Sequence, residues 1–337
     1  MTRIVYITWP ATEITGGIKS AFHHVEALRQ AGFDAAIASN DTTPPGWFET
    51  PLEILPLSAV RRGADRDIVV LPENHPGFLE RFADWPNRKV VLCLNHFFAH
   101  RGLGKRRGYG DYGVSELIVA GVAPATFCRQ RFPDLDVHIV PPFIDPDLFA
   151  PRERKALAVC LTARKRRFEA AFIKDLFRAC HAKGLTVRWI ELNDASQADM
   201  ADAFASSAVH LSLGRFESVG RTPLEAMSAG CVCTGFLGFG GREYATDYNG
   251  FWAAEDDLID CARQLGRAVR LAADGGPLYH ETLQAGFATA RRYSRDRFTA
   301  HLTDYWTRAV DAAGGGRPAA AEPAEPAEPA GPAEPGG

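Results

Sequence analysis

This chain of 337 residues has no paired cysteines, no long apolar run and no marked excess of charge, and each absence removes a class of protein. Its seven cysteines, at 93, 128, 160, 180, 231, 233 and 261, form no Cys-x-x-Cys pair. Most lie in apolar segments, where cysteine acts as a small hydrophobe, and a reducing compartment suits them. No apolar stretch approaches the roughly 18 residues of a membrane span. The opening MTRIVYITWP enters a strand pattern without the plan of a secretory signal, so a cytoplasmic location is expected. Formal charge is −3. Beyond Ala313 lie Glu322, Glu325, Glu328 and Glu334 against Arg317, and setting these aside from 38 basic and 41 acidic residues leaves 37 of each. A neutral body argues against nucleic-acid binding by bulk charge. The glycine loop after the first strand, Thr15-Gly16-Gly17-Ile18-Lys19, is also not the Gly-x-Gly-x-x-Gly fingerprint, which leaves a nicotinamide cofactor poorly supported.

What remains is a composition of 46% hydrophobic and 23% charged residues, that of a soluble globular protein long enough for two domains. Short β-rich runs at 4–8, 35–38, 68–71, 90–94, 117–119 and 137–140 alternate with helical patterns at 17–31, 75–83 and 121–131. This alternation predicts a parallel, doubly wound sheet. Phe22, Val25 and Leu28 form one stripe of the first helix, which ends at Gly32. The pattern pauses at Pro141-Pro142-Phe143-Ile144-Asp145-Pro146, a stiff interdomain segment. It then restarts with strands near 157–161, 186–190, 208–213 and 231–234, and helices near 167–182, 197–205, 222–229, 257–272, 277–291 and 295–313. The reading is α/β: two Rossmann-like domains, 1–142 and 143–313, facing across a cleft, with the last helix a candidate to pack back on the first domain. From 314 to 337 the Pro/Ala/Glu repeats predict disorder.

The richest stretch is FESVGRTPLEAMSAGC, 216–231, where Glu217 and Glu225 bracket a turn at Gly220 and a helix start. Helix-start amides attract phosphate, and carboxylates, being acceptor-only, hold sugar hydroxyls. Thr222-Pro223-Leu224-Glu225 also reads as a capping box, Thr222 capping and Glu225 folding back to its amide. Other strand ends carry further candidates. Gly16-Gly17 opens the first helix and lets backbone approach an anion or sugar. His96 follows the strand at 90–94 and can donate to a substrate hydroxyl. Arg164-Lys165-Arg166-Arg167 follows the strand at 157–161, with Arg164 and Lys165 nearest the expected cleft and able to neutralise a diphosphate. Four cations at a helix start conflict with its dipole, which calls for an anionic partner. Gly238, Gly240, Gly241 and Glu243 form another glycine-rich turn.

As a set these residues resemble the retaining glycosyltransferases of family 4, which have the GT-B fold. The Glu-x7-Glu pair is matched by Glu217 and Glu225, with Pro223–Gly230 continuing the pattern. Arg164-Lys165 looks like the diphosphate position, 140–145 the linker, Gly240-Gly241-x-Glu243-Tyr244 the following loop, and Gly16-Gly17 with His96 the N-terminal contributions. The similarity spans about residues 3–310. It implies that Glu225 grips the ribose of a nucleotide-sugar, Glu217 and His96 approach the donor sugar, and amides from Gly220 through Arg221 to Thr222 face sugar and phosphate. It also implies that no metal cofactor is needed, cations and a helix dipole replacing it, and that the leaving phosphate takes the acceptor proton on the same face. Two positions depart from the pattern: Glu169 stands where a lysine is common, leaving Lys165 to substitute, and Arg221 replaces a usually apolar residue. The resemblance further implies that the first domain is the acceptor side and the second the nucleotide-sugar donor side; a saccharide or lipid-linked acceptor is expected, with Lys105-Arg106-Arg107 a candidate contact to lipid phosphate or a membrane surface. A sugar-nucleotide epimerase and a catalytically silent scaffold are the alternative readings of the same fold.

Overall fold

The computed structural model describes residues 2–63, 66–193 and 195–312; the tail expected to be disordered lies outside them. The first sheet comprises β1 (Arg3–Thr8), β2 (Ala35–Ser39), β3 (Ile54–Pro56), β4 (Asp67–Pro72), β5 (Lys89–Cys93), β6 (Val114–Val119) and β7 (Asp136–Ile139). Its strands run parallel in the order β3-β2-β1-β4-β5-β6-β7. Helices α1 (Gly16–Gln30), α2 (Pro76–Phe82), α3 (Ala99–Gly102) and α4 (Val122–Arg131) connect them. Every residue of β2, β4 and β5 is buried, as a parallel sheet covered on both faces requires. On one face Ile4, Phe22, Val25 and Leu28 pack together, and on the other Val69, Leu79, Phe82 and Val91.

The second sheet contains β8 (Ala156–Leu161), β9 (Arg188–Glu191), β10 (Ser207–Glu217), β11 (Val232–Phe239) and β12 (Gly250–Trp252), parallel in the order β12-β11-β10-β8-β9. Helices α5 (Arg167–Cys180), α6 (Gln197–Ser206), α7 (Arg221–Ser228), α8 (Leu258–Asp274) and α9 (Pro277–Arg291) cover it. The last helix, α10 (Arg295–Ala312), leaves this domain. Its Phe298, Leu302, Tyr305 and Trp306 join the core of the first sheet, where the Trp306 indole donates to Tyr6 Oη at 3.1 Å.

Two strands, β3 and β12, were not expected from the sequence. Each is three residues long, too short to show a strand period, and pairs with one neighbour at the edge of its sheet. β10 and β11 also run further than expected, because their pairing continues to Glu217 opposite Phe239 past an irregularity after Gly214. Strand order reverses between β1 and β4 in one sheet and between β8 and β10 in the other. Crevices form at such reversals. The loops after these four strands face each other across a cleft of about 620 Å³.

Candidate active site

The second domain's side of the cleft is built at the ends of β8 and β10, which are neighbours in register. Phe216 has φ 53° and Gly220 has φ 76° and ψ 76°, so the chain turns sharply after Glu217. Gly220 then caps α7, and Tyr244 Oη donates to its carbonyl at 2.6 Å. The helix therefore begins at Arg221, one residue before the expected start, and the capping box does not form. Thr222 and Pro223 lie inside the first turn, no side chain caps the helix, and Glu225, half-buried, lines the cleft. Gly220, Arg221 and Thr222 line it as well, presenting the helix start with its partial positive charge.

The four cations after β8 divide. Arg166 is 1% exposed and pairs with Glu255 at 2.8 Å, with Asp256 and with Glu169, while lying 4.6 Å over the Phe236 ring. The anionic partner demanded by a basic helix start is thus, for Arg166, internal. Glu169 also meets Arg215 at 3.4 Å. Arg167 is exposed on α5. Arg164 and Lys165 line the cleft. Lys165 Nζ pairs with Glu217 and donates to the Arg215 carbonyl at 3.1 Å, whereas Arg164 has no hydrogen bond or ion pair among the described residues.

From the first domain, Gly16 and Gly17 line the cleft at the start of α1, which Thr15 caps by accepting from the Ile18 amide at 3.4 Å. A Cβ on Gly16 would stand 3.3 Å from the Arg221 guanidinium, so glycine admits that side chain. Lys19, not singled out from sequence, is 7% exposed and lines the cleft. Burial and the Arg221 charge lower its pKa to about 8, against opposing pulls from Glu225 and Asp145. Its signal was a lysine three residues before Phe22 on an otherwise apolar helix stripe.

Three expected residues occupy other positions. His96 is not among the cleft-lining residues but sits at the seam between domains. Its backbone amide donates to Ser218 Oγ at 3.0 Å, and its Nδ1 lies 2.7 Å from the same oxygen. Burial lowers its pKa, so the ring is neutral at pH 7. Gly240 and Gly241 lie buried behind the Glu217–Gly220 turn rather than in the cleft. A Cβ at Gly240 would fall 2.1 Å from the Ser218 carbonyl, and one at Gly241 would crowd Leu237 and Tyr244. They permit the close approach that holds the turn. Glu243 reaches across instead and accepts from the Val122 amide at 2.9 Å.

Lys105-Arg106-Arg107 does not line the cleft either. Arg106 pairs with Glu80 at 2.8 Å and lies 4.3 Å over the Tyr112 ring. Among the described residues no group of three or more histidine, cysteine or acidic side chains could hold a metal ion, and no helix is long and apolar enough to cross a membrane.

No family model matches the chain. It is 24% identical over 279 residues to an alpha-1,6-glucosyltransferase of Actinobacillus pleuropneumoniae serotype 7, covering 79% of this chain and 83% of that one. Among solved structures, HepE of Anabaena in complex with UDP-glucose superposes with a TM-score of 0.69 at 13% identity, over 91% of this chain and 99% of HepE. A glycosyltransferase of Rickettsia africae gives a TM-score of 0.63 at 10% identity, over 91% and 98%. The chain is built as an enzyme of the glycosyltransferase kind, with two parallel-sheet domains closing on one cleft in the GT-B architecture.

Proposed function

We propose that this protein is a retaining, metal-independent glycosyltransferase of the family 4 type that moves a sugar from a nucleotide-diphosphate sugar to an acceptor hydroxyl in polysaccharide or glycoconjugate assembly. The observation that carries it is the convergence of Lys19, Arg164, Lys165, Arg221 and the α7 start on one cleft that also holds Glu217 and Glu225. Cations and helix amides suit a diphosphate whose charge grows as it leaves. Arg164, with no partner among the described residues, is free to meet that charge. Lys165 is held by Glu217, so a donor would share it. Glu225, released from capping, is available to ribose hydroxyls, and Glu217 to the donor sugar. The bond from the anomeric carbon to the phosphate oxygen breaks, the diphosphate leaves with the electron pair, and its oxygen takes the acceptor hydroxyl's proton on the face where the new bond forms. His96 acts through Ser218, holding the Glu217 turn against the first domain. Similarity to a glucosyltransferase and to a UDP-glucose complex makes UDP-glucose the first donor to try.

Calorimetric titration with UDP, GDP and dTDP in the presence of a chelator tests this. Saturable binding of one nucleotide, weakened in Glu225→Ala, is expected. Binding of none by the parent protein would remove the donor site, and a preference for dTDP would oppose a two-hydroxyl ribose grip by Glu225.

A further inference from the structure

Glu217 sits in a turn that its own domain does not hold alone. The chain leaves the regular part of β10 through Arg215, whose carbonyl takes the Lys165 ammonium at 3.1 Å, and bends at Phe216, where φ is 53°. Left-handed backbone is rare for residues with a side chain and an outlier for one as bulky as phenylalanine. The ring gains little burial in return, being 43% exposed. Strain of this kind persists only where the surroundings over-determine it. Here the surroundings include the other domain. Asn95, two residues past β5, donates from Nδ2 to the Phe216 carbonyl at 2.8 Å. That oxygen belongs to the planar peptide unit whose nitrogen is Glu217's, so the bond fixes the plane from which the Glu217 side chain departs. On the far side of Glu217, Ser218 Oγ takes the His96 amide at 3.0 Å. Two consecutive residues of the first domain thus grip both neighbours of Glu217 in the second. Phe97 adds ring contacts to Phe216 and Phe239, with centroids 5.4 Å and 5.6 Å away.

Asn95 is itself immobilised. Its amide donates to Oε1 of Glu73, a carboxyl only 5% exposed, at 3.0 Å. Its Oδ1 accepts from the Phe97 amide at 3.2 Å and its carbonyl from the Phe98 amide at 3.0 Å. With Oδ1 so committed, the side-chain NH₂ has one direction left, toward Phe216. A group locked at this many points is suited to orient another within the narrow limits that a reacting centre demands. We propose that Asn95 is a positioning residue for sugar transfer: it aims Glu217 at the donor sugar, so that this carboxylate of the second domain is in place only while the first domain is docked at the seam. The assignment rests on the reading above that Glu217 meets the donor sugar.

The test measures UDP release from UDP-glucose with water as acceptor, and calorimetric affinity for UDP, in the full chain. Asn95→Ser keeps an oxygen for the Phe97 amide but falls short of the Phe216 carbonyl. Asn95→Asp keeps the shape and sets an acceptor against that carbonyl. Each should lower kcat about 10-fold to 10²-fold, the scale of a slightly misplaced reacting group, while UDP affinity stays within about twofold of the parent's. In a Glu217→Ala background the same changes should cost less than about threefold, because the group they aim is gone. If the Asn95 variants turn over at the parent rate, or if their loss is undiminished beside Glu217→Ala, Asn95 does not act through Glu217; the inference falls and the donor site stands. A loss confined to the KM for UDP-glucose overturns it equally, since Asn95 would then touch the substrate itself. If Glu217→Ala matches the parent, or the parent releases no UDP, the donor reading fails and takes the inference with it.

Discussion

Arg164 and Lys165 are adjacent cations with different tasks. Lys165 is neutralised within the protein by Glu217, and Arg164 is not neutralised among the described residues. Arg164→Ala should therefore leave folding alone, as an exposed residue with no partner to strand, and lower kcat about 10²–10³-fold by removing a donor aimed at developing charge. Glu217→Ala should lower kcat comparably, with a melting temperature near the parent's. Parent-rate transfer by both variants, measured with UDP-glucose as donor, would break the site assignment. Lys19 adds a pH signature. With a pKa near 8, its charge is present below that value and lost as pH rises through it. Nucleotide affinity should accordingly weaken between about pH 7.5 and 9, and Lys19→Gln should bind weakly but flatly across that window. A parent titration as flat as the variant's would show that Lys19 does not face the diphosphate.

At the scale of elements, the site depends on how closely β11 lets β10 approach. A Cβ on Gly238 (φ 61°) would stand 2.9 Å from Glu217 Cγ, whereas Gly275 (φ 63°), after α8, has open space around it. Alanine at either position pays about 1–2 kcal/mol for the left-handed backbone. Gly238→Ala alone should also displace Glu217 and depress kcat well beyond its stability loss; equal activity in the two variants would mean that Glu217 tolerates the shift. Such packing explains what was readable in advance. Strands buried on both faces announced themselves as apolar runs; the glycine turns, Glu217 and Arg164 stood at strand ends, and Glu225 on the helix that follows, where a doubly wound sheet forms its crevice. Strands β3 and β12 were silent because three residues carry no period. The capping box misled because Thr222 and Glu225 have the right spacing, while the left-handed turn that starts the helix earlier is a property of Gly220 and its Tyr244 partner. His96, Gly240 and Gly241 also stand just after strands, but a sequence cannot show whether such a residue lines a cleft or braces the loop behind it. Trp9, Trp47 and Glu73 line the cleft from three loops of the first sheet and Lys19 from α1, so they come together only in the fold.

Over the whole molecule, the chain crosses between domains twice. Val140 and Phe143 belong to the first core and Ile144 and Phe149 to the second, and α10 returns to the first sheet after the Ile144 amide meets the Tyr293 carbonyl at 2.8 Å. Each domain holds a fully buried histidine. His24 lies on α1 with Nδ1 3.1 Å from Tyr6 Oη, the oxygen that also takes the Trp306 N–H of the returning helix. His210 lies on β10 with Nδ1 3.2 Å from the Cys160 carbonyl. Burial lowers their pKa values to about 3 and about 4, and His23, His75 and His138 move in the same direction. Between these values and the ordinary value near 6.5, the unfolded chain binds protons that the folded chain refuses. Stability therefore falls as pH drops, by about 1.4 kcal/mol per pH unit for each histidine so shifted. The window from about pH 6.5 to 5 lies above the range where ordinary carboxylates titrate. Buried Glu73, its pKa raised to about 7, takes up a proton only in the folded chain there and offsets about one histidine, so the net loss belongs to the remaining histidines. Urea unfolding at pH 7, 6 and 5 should show the midpoint dropping steeply, and His24→Asn, whatever its own cost at pH 7, should reduce the slope by about one histidine's share. A variant with the parent's slope would mean that His24 takes up its proton in the folded state, which the Tyr6–Trp306 contact to α10 would then have to accommodate.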